Sequence, residues 1–123
     1  MSYFIGDDAA QLIKTIESFD DSNVFLNEEV PQAFLQSSPH EFIYIQPLNT
    51  TDIHYRSDRR DYDFPTVQVD LYTKSNATIK DLVPKIFQLF DSHLYGCFFD
   101  ESGHDLSHSM KRYTWRFSKE RKF

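Results

Sequence analysis

Residues 64–72 read FPTVQVDLY. In an extended chain Val67, Val69 and Leu71 fall on one side and Gln68, Asp70 and Tyr72 on the other, because successive side chains of a strand point to opposite faces. That alternation predicts a half-buried antiparallel strand. Downstream, the polar turn KSNAT leads into an amphipathic helix whose buried stripe is Leu82, Ile86, Leu89, Phe90 and Leu94. Pro84 must sit in the first turn of that helix or kink it, and Gly96 is placed to end it. Residues 97–100 read as a short apolar strand and 101–109, ESGHDLSHS, as a loop. Residues 110–118 close the pattern as a strand, with Tyr113, Trp115 and Phe117 following Lys111 on an aromatic face and Arg112, Thr114 and Arg116 on a basic one.

Upstream, EFIYIQ at 41–46 is aromatic and β-branched between Pro39 and Pro47, and predicts a strand. A short strand is expected at 24–27, and a single helical turn opened by Pro31. Ala9, Leu12, Ile13, Ile16 and Phe19 recur at three- and four-residue steps after Asp7 or Asp8 as cap, which predicts a second amphipathic helix that ends in the turn cluster Asp20 to Asn23. Residues 48–62 carry neither period and are expected to be a long mobile loop. The order of elements has no strict strand-helix-strand alternation. It points to an α+β fold, an antiparallel sheet of about four to five strands with two amphipathic helices packed on one face, in one domain spanning 1–123.

The composition excludes several function classes. With 12 Phe, 7 Tyr and 1 Trp in 123 residues the chain has ample material for a core, and with 3 Gly it has no glycine-rich phosphate loop. The single Cys97, in the apolar run CFF, reads as a buried inert thiol in a reducing compartment. No apolar run approaches the roughly 20 residues of a membrane span, and the acidic start MSYFIGDD does not resemble a signal sequence, so no membrane association is expected and synthesis is placed in the cytoplasm.

Charge is segregated. Residues 1–54 set Lys14 against nine carboxylates, a formal −8, whereas 111–123 carry six bases against Glu120, a formal +5, within a total of −6. Such bipolarity is satisfied either within one subunit or between subunits packed head to tail.

The chemistry-bearing residues are few. His104 and His108, with Asp105 between them and Asp100 or Glu101 nearby, would share a metal if they lay on a helix, and a metal-dependent hydrolase follows from that premise. Their turn-forming surroundings favour a solvated loop, so neither a catalytic residue nor a metal or other cofactor is assigned. Tyr55, Arg56, Arg59, Arg60 and Tyr62 concentrate guanidinium and aromatic groups in the long loop. Interleaved Asp52, Asp58, Asp61 and Asp63 nearly balance their charge, which suits a protein partner better than a phosphate backbone. Lys111, Arg112 and Arg116 of the closing strand form a second candidate interface between subunits. Together with the KERKF tail and the arginine loop they also support the weaker alternative, a small nucleic-acid-binding module.

The pieces FPTVQVDLYTKS, DLVPKIFQLFDSHLYG, FFDE, HDLS and KRYTWRF, preceded by an opening helix and FIYIQP, occur in an order that resembles the small tail-terminator, or head-to-tail joining, proteins of long-tailed phages of Gram-positive hosts. The resemblance covers most of the chain. It implies a virion structural protein without enzyme activity, assembled in the host cytoplasm into a homohexameric ring at the head-proximal end of the tail. Its implied partners are further copies of itself, the tail tube protein and the head connector protein.

Overall fold

A computed structural model describes residues 5–27, 30–37, 39–48, 62–63, 66–105, 110–119 and 121–122, with the backbone alone at 62–63, 104–105 and 121–122. The elements run α1 (Ile5–Ile13), β1 (Val24–Leu26), α2 (Gln32–Gln36), β2 (Glu41–Leu48), β3 (Tyr62–Asp63), β4 (Thr66–Thr73), α3 (Asn76–Ser92), β5 (Gly96–Asp105), β6 (Met110–Ser118) and β7 (Arg121–Lys122). Five strands form one mixed sheet in the order β1-β2-β4-β6-β5. All its neighbours are antiparallel except β1 and β2, which run parallel from Val24 opposite Ile43 to Leu26 opposite Ile45. The fold is α+β, as the order of elements predicts.

The alternating strand becomes β4, at the centre of this sheet. Val67, Val69 and Leu71 are fully buried under α1 and α3, together with Ile43 and Ile45 of β2 and Trp115 and Phe117 of β6. Phe90 of α3 stacks on Phe117 with ring centroids 4.3 Å apart. On the opposite face α2 covers one end of the sheet. There Phe34 meets Phe25 and Phe42 edge to face, and Phe42 stacks on Tyr72 at 4.7 Å. This face is less open than simple alternation suggests, because Asp70 and Thr114 are also buried on it.

Several sequence expectations shift. Helix α1 starts before Asp7 and Asp8, which lie inside its first turn, where carboxylates favour the positive end of the helix dipole. It stops at Ile13 rather than near Phe19. Tighter three-residue bonds take over, with the amides of Thr15, Ile16 and Phe19 donating to the carbonyls of Leu12, Ile13 and Ile16, and Phe19 stays buried. Gly6 lets α1 lie close on the sheet. A Cβ there would come within 2.7 Å of Leu26 and 2.9 Å of Pro47. Strand β2 runs on through Pro47, which is tolerated because the pairing with β1 ends at Ile45, so residue 47 has no place in that ladder for an amide to fill.

Ser75 caps α3, its hydroxyl accepting from the amides of Ala77 and Thr78. Leu82, Ile86 and Phe90 are buried as expected, but Pro84 stands at the ninth of 17 positions, so residue 84 gives no amide to the Lys80 carbonyl. Leu94, expected in the buried stripe, is 81% exposed. It takes the left-handed position (φ 68°) of the helix terminus, while the amide of Tyr95 donates to Phe90 and that of Leu94 to Asp91. Gly96, expected to fill that role, instead opens β5.

Strand β5 continues through Glu101, Ser102, Gly103 and His104 to Asp105, where composition suggests a loop, because β6 supplies pairing partners along its whole length. The long loop is likewise bounded more tightly than 48–62. Leu48 belongs to β2, and Tyr62 pairs with Lys122 in the small β3–β7 ribbon.

Candidate assembly surface

The face of the sheet not covered by α1 and α3 is built by alternate residues of β4, β6 and β5. From β4 come Gln68 and Asp70, from β6 Arg112, Thr114 and Arg116, and from β5 Phe99, Glu101 and Gly103, as the strand register requires. A chain of side-chain hydrogen bonds crosses the strands. The Thr114 hydroxyl donates to one Asp70 oxygen at 2.5 Å and the Gln68 amide donates to the other at 3.2 Å. The Gln68 carbonyl in turn accepts from Nε of Arg116 at 3.0 Å. The buried carboxylate is thereby hydrogen-bonded on both oxygens.

Both arginines lie across the edge strand. Arg116 faces Phe99, its register partner, with Cζ 4.8 Å from the ring centroid. Arg112 is paired with Gly103, and a Cβ at 103 would come within 3.0 Å of its guanidinium. The glycine therefore leaves the space that the Arg112 side chain occupies. Nε of Arg112 is buried with no hydrogen-bond partner. Beside them β5 presents exposed aromatic surface, since the register shifts between Cys97 and Phe99 and leaves Phe98 as an extra residue, 52% exposed next to Phe99 at 37%.

Lys111, expected to act with Arg112 and Arg116, projects from β6 on the helix side with Tyr113, so the three do not share one face. It lines a cavity of about 220 Å³ with Asn76, Ile79, Ser102, Gly103 and Arg112. Tyr55, Arg56, Arg59 and Arg60 lie outside the described residues, and Tyr62 is described only as a strand position. Sequence reasoning missed Phe98, Phe99 and Gly103. The run of three apolar residues at 97–99 was the available sign that one of them leaves the alternation.

Several charged groups of the described residues meet close neighbours in sequence: Lys14 with Asp21 at 2.7 Å, the His40 ring with its neighbour Glu41, and Lys85 with Asp81 at 3.3 Å. None joins a carboxylate of the first 54 residues to a base of β6.

Two tyrosines and the cysteine flank the helix side of β5. The Tyr113 hydroxyl donates to Asp100 at 2.6 Å, and that bond to a carboxylate, with burial, pushes its pKa up to about 12. Tyr95 is almost fully buried with its hydroxyl unpartnered, and burial, aided by the charge of Asp8, pushes its pKa up to about 12 as well. Lys119 lies 5.0 Å from the Tyr95 ring centroid in a groove of about 400 Å³ lined also by Asp8, Gln11, Leu12, Thr15 and His93. The Cys97 thiol is half-buried and donates to the Phe99 carbonyl, and burial raises its pKa, which holds it in the less nucleophilic thiol form.

The helical premise of a shared metal does not hold at His104, which sits in a strand where four-residue helical spacing does not apply. Among the described residues no three His, Cys, Asp or Glu side chains converge on a metal position, and His108 and the side chains of His104 and Asp105 lie outside them. No described helix is long and apolar enough to cross a membrane. Comparison with protein-family models, curated proteins and solved structures finds no match for this chain.

Proposed function

We propose that this chain is a structural subunit of a phage tail, a tail terminator or head-tail joining protein that closes into a ring, with six copies as the expected number, at the head-proximal end of the tail. The resemblance in order of elements suggests the role. The observation that carries it is the partition of charge, with exposed carboxylates around α1 on one side of the sheet and the arginines of β6 on the far side. Complementary patches on opposite faces of one sheet cannot neutralise each other inside a subunit. They can do so between subunits in a heterologous contact, the kind that generates rings when its rotation closes. In this reading the loop residues Tyr55, Arg56, Arg59, Arg60 and Tyr62 contact an adjacent subunit or the tail tube protein, and the head connector protein meets the ring from the head side.

Light scattering on the purified chain, with negative-stain images, tests the proposal. Six copies of a 14.6 kDa chain give about 88 kDa and ring-shaped particles. A mass of 14.6 kDa maintained at every concentration rejects it.

A further inference from the structure

We infer that the arginine face of β5 and β6 docks the acidic α1 surface of a second copy of this chain, an inference that rests on the ring reading and names the surfaces it uses. The receiving side is Arg112 and Arg116, four residues apart on β6 and so roughly 14 Å apart along the strand at about 3.4 Å per residue. Both are held across β5 by what lies beneath them, Gly103 under one and Phe99 under the other. Neither makes an ion pair among the described residues. An arginine held over an aromatic ring and hydrogen-bonded through Nε, as Arg116 is, has already lost much of its rotamer freedom, so less is lost when its fork takes a carboxylate. Phe98 and Phe99 add exposed apolar area at the Arg116 end of the patch, and arginine with aromatic side chains is the composition in which interface energy concentrates.

The occupant follows from charge. Asp7, Glu17, Asp20 and Asp21 are all exposed on α1 and the turns after it, with Lys14, itself paired to Asp21, as the cation among them. Helix α1 packs on β1, β2 and β4 from the side opposite Arg112 and Arg116. The donor and acceptor surfaces thus occupy opposite faces of the sheet and point away from each other, the arrangement of a head-to-tail contact. A phosphate backbone fits the arginine face less well. Glu101 is exposed on the same face of β5 between Phe99 and Gly103, so the patch is two separated cationic forks and not a continuous basic track.

The test reverses each surface and then both, in the full chain. Arg112→Glu with Arg116→Glu, and separately Asp7→Lys with Glu17→Lys, should each reduce the mass from ring to 14.6 kDa while circular dichroism and the thermal midpoint stay near wild type. All four substitutions in one chain should restore the ring, which an unfolded chain could not do. A salt series on the wild-type protein gives a second measurement independent of folding, and the ring should dissociate as salt screens the contact. A wild-type ring that persists in both reversed variants, or that is insensitive to salt, overturns this surface and leaves the ring reading standing. Wild-type protein that never assembles removes the ring reading itself, and the inference with it. Salt-sensitive capture of a single-stranded RNA by a monomer, lost in Arg112→Glu with Arg116→Glu, assigns the face to phosphate and overturns the inference as well.

Discussion

Strand β6 offers two regions to compare, its two faces, which share a backbone and differ only by the parity of residue number. Toward the helices it presents Trp115 and Phe117, each 1% exposed, in a dry layer with Phe90, Val67 and Val69. Away from them it presents Thr114, hydrogen-bonded to Asp70, Arg116, hydrogen-bonded to Gln68 and lying over Phe99, and Arg112 in the space left by Gly103. The first face holds the fold by apolar burial, which is non-directional and proportional to area. The second fixes side chains in position at small net gain, because its hydrogen bonds replace bonds to water. Between Arg112 and Phe117, beyond the end that α2 and buried Met110 cover, stability should therefore reside in the odd-numbered residues and recognition in the even-numbered ones.

The largest effect that could break this division is expected at Trp115. Trp115→Ala removes the largest fully buried side chain and should cost about 3–5 kcal/mol in denaturant unfolding. A cost under about 1 kcal/mol would mean that the layer beneath the helices can collapse around the loss, and the division by parity would not hold.

The second face gives a smaller, directional effect. Asp70→Ala removes the acceptor of both Thr114 and Gln68 and leaves the Thr114 hydroxyl buried without a partner, a loss of about 1–3 kcal/mol. Double substitution with Thr114→Val should recover part of that loss, since removing both members of a buried pair is milder than removing one. Equal destabilisation by Asp70→Ala and Trp115→Ala would instead make the polar face a second core.

The sequence made the first face legible and most of the second illegible, for a physical reason. Apolar periodicity is a local signal, and it located β4, β6 and most of the buried stripe of α3, while Pro31 marked the single turn of α2. What it could not carry was pairing at a distance. Glu101 to Asp105 have turn composition and become strand only because β6 lies alongside, and Leu94 rather than Gly96 takes the left-handed position because the last bonds of α3 fall there. Ile13, Ile16 and Phe19 keep a helical spacing of apolar groups while the backbone tightens out of the α-helix. The candidate surface shows the same split. Lys111, Arg112 and Arg116 were visible as basic residues, but that Lys111 faces away from the other two is a consequence of strand parity, and the places of Gly103 and Phe99 beneath the arginines depend on a register set by the bulge at Phe98.

The smallest effect probes the exception on the apolar side, the buried and unpartnered hydroxyl of Tyr95. A buried polar group without a partner carries a desolvation penalty, so Tyr95→Phe should stabilise the protein by about 1 kcal/mol near neutral pH. The same hydroxyl imposes a pH dependence whose sign is fixed by its shift. Its pKa rises from 10 in the unfolded chain to about 12 in the fold. Below pH 10 the phenol is neutral in both states and its contribution is fully present. As pH climbs from 10 toward 12 the unfolded chain releases the proton and the folded chain keeps it, so the contribution is lost. Tyr113 shares the direction, because its bond to Asp100 requires the neutral phenol. Denaturant unfolding of wild type and Tyr95→Phe through this alkaline range should show stability falling in both, less steeply in the variant, with the remaining slope reduced further by Tyr113→Phe. Parallel slopes in wild type and Tyr95→Phe would show that the hydroxyl reaches water in solution, and a destabilised Tyr95→Phe would show that it has found a hydrogen-bond partner there.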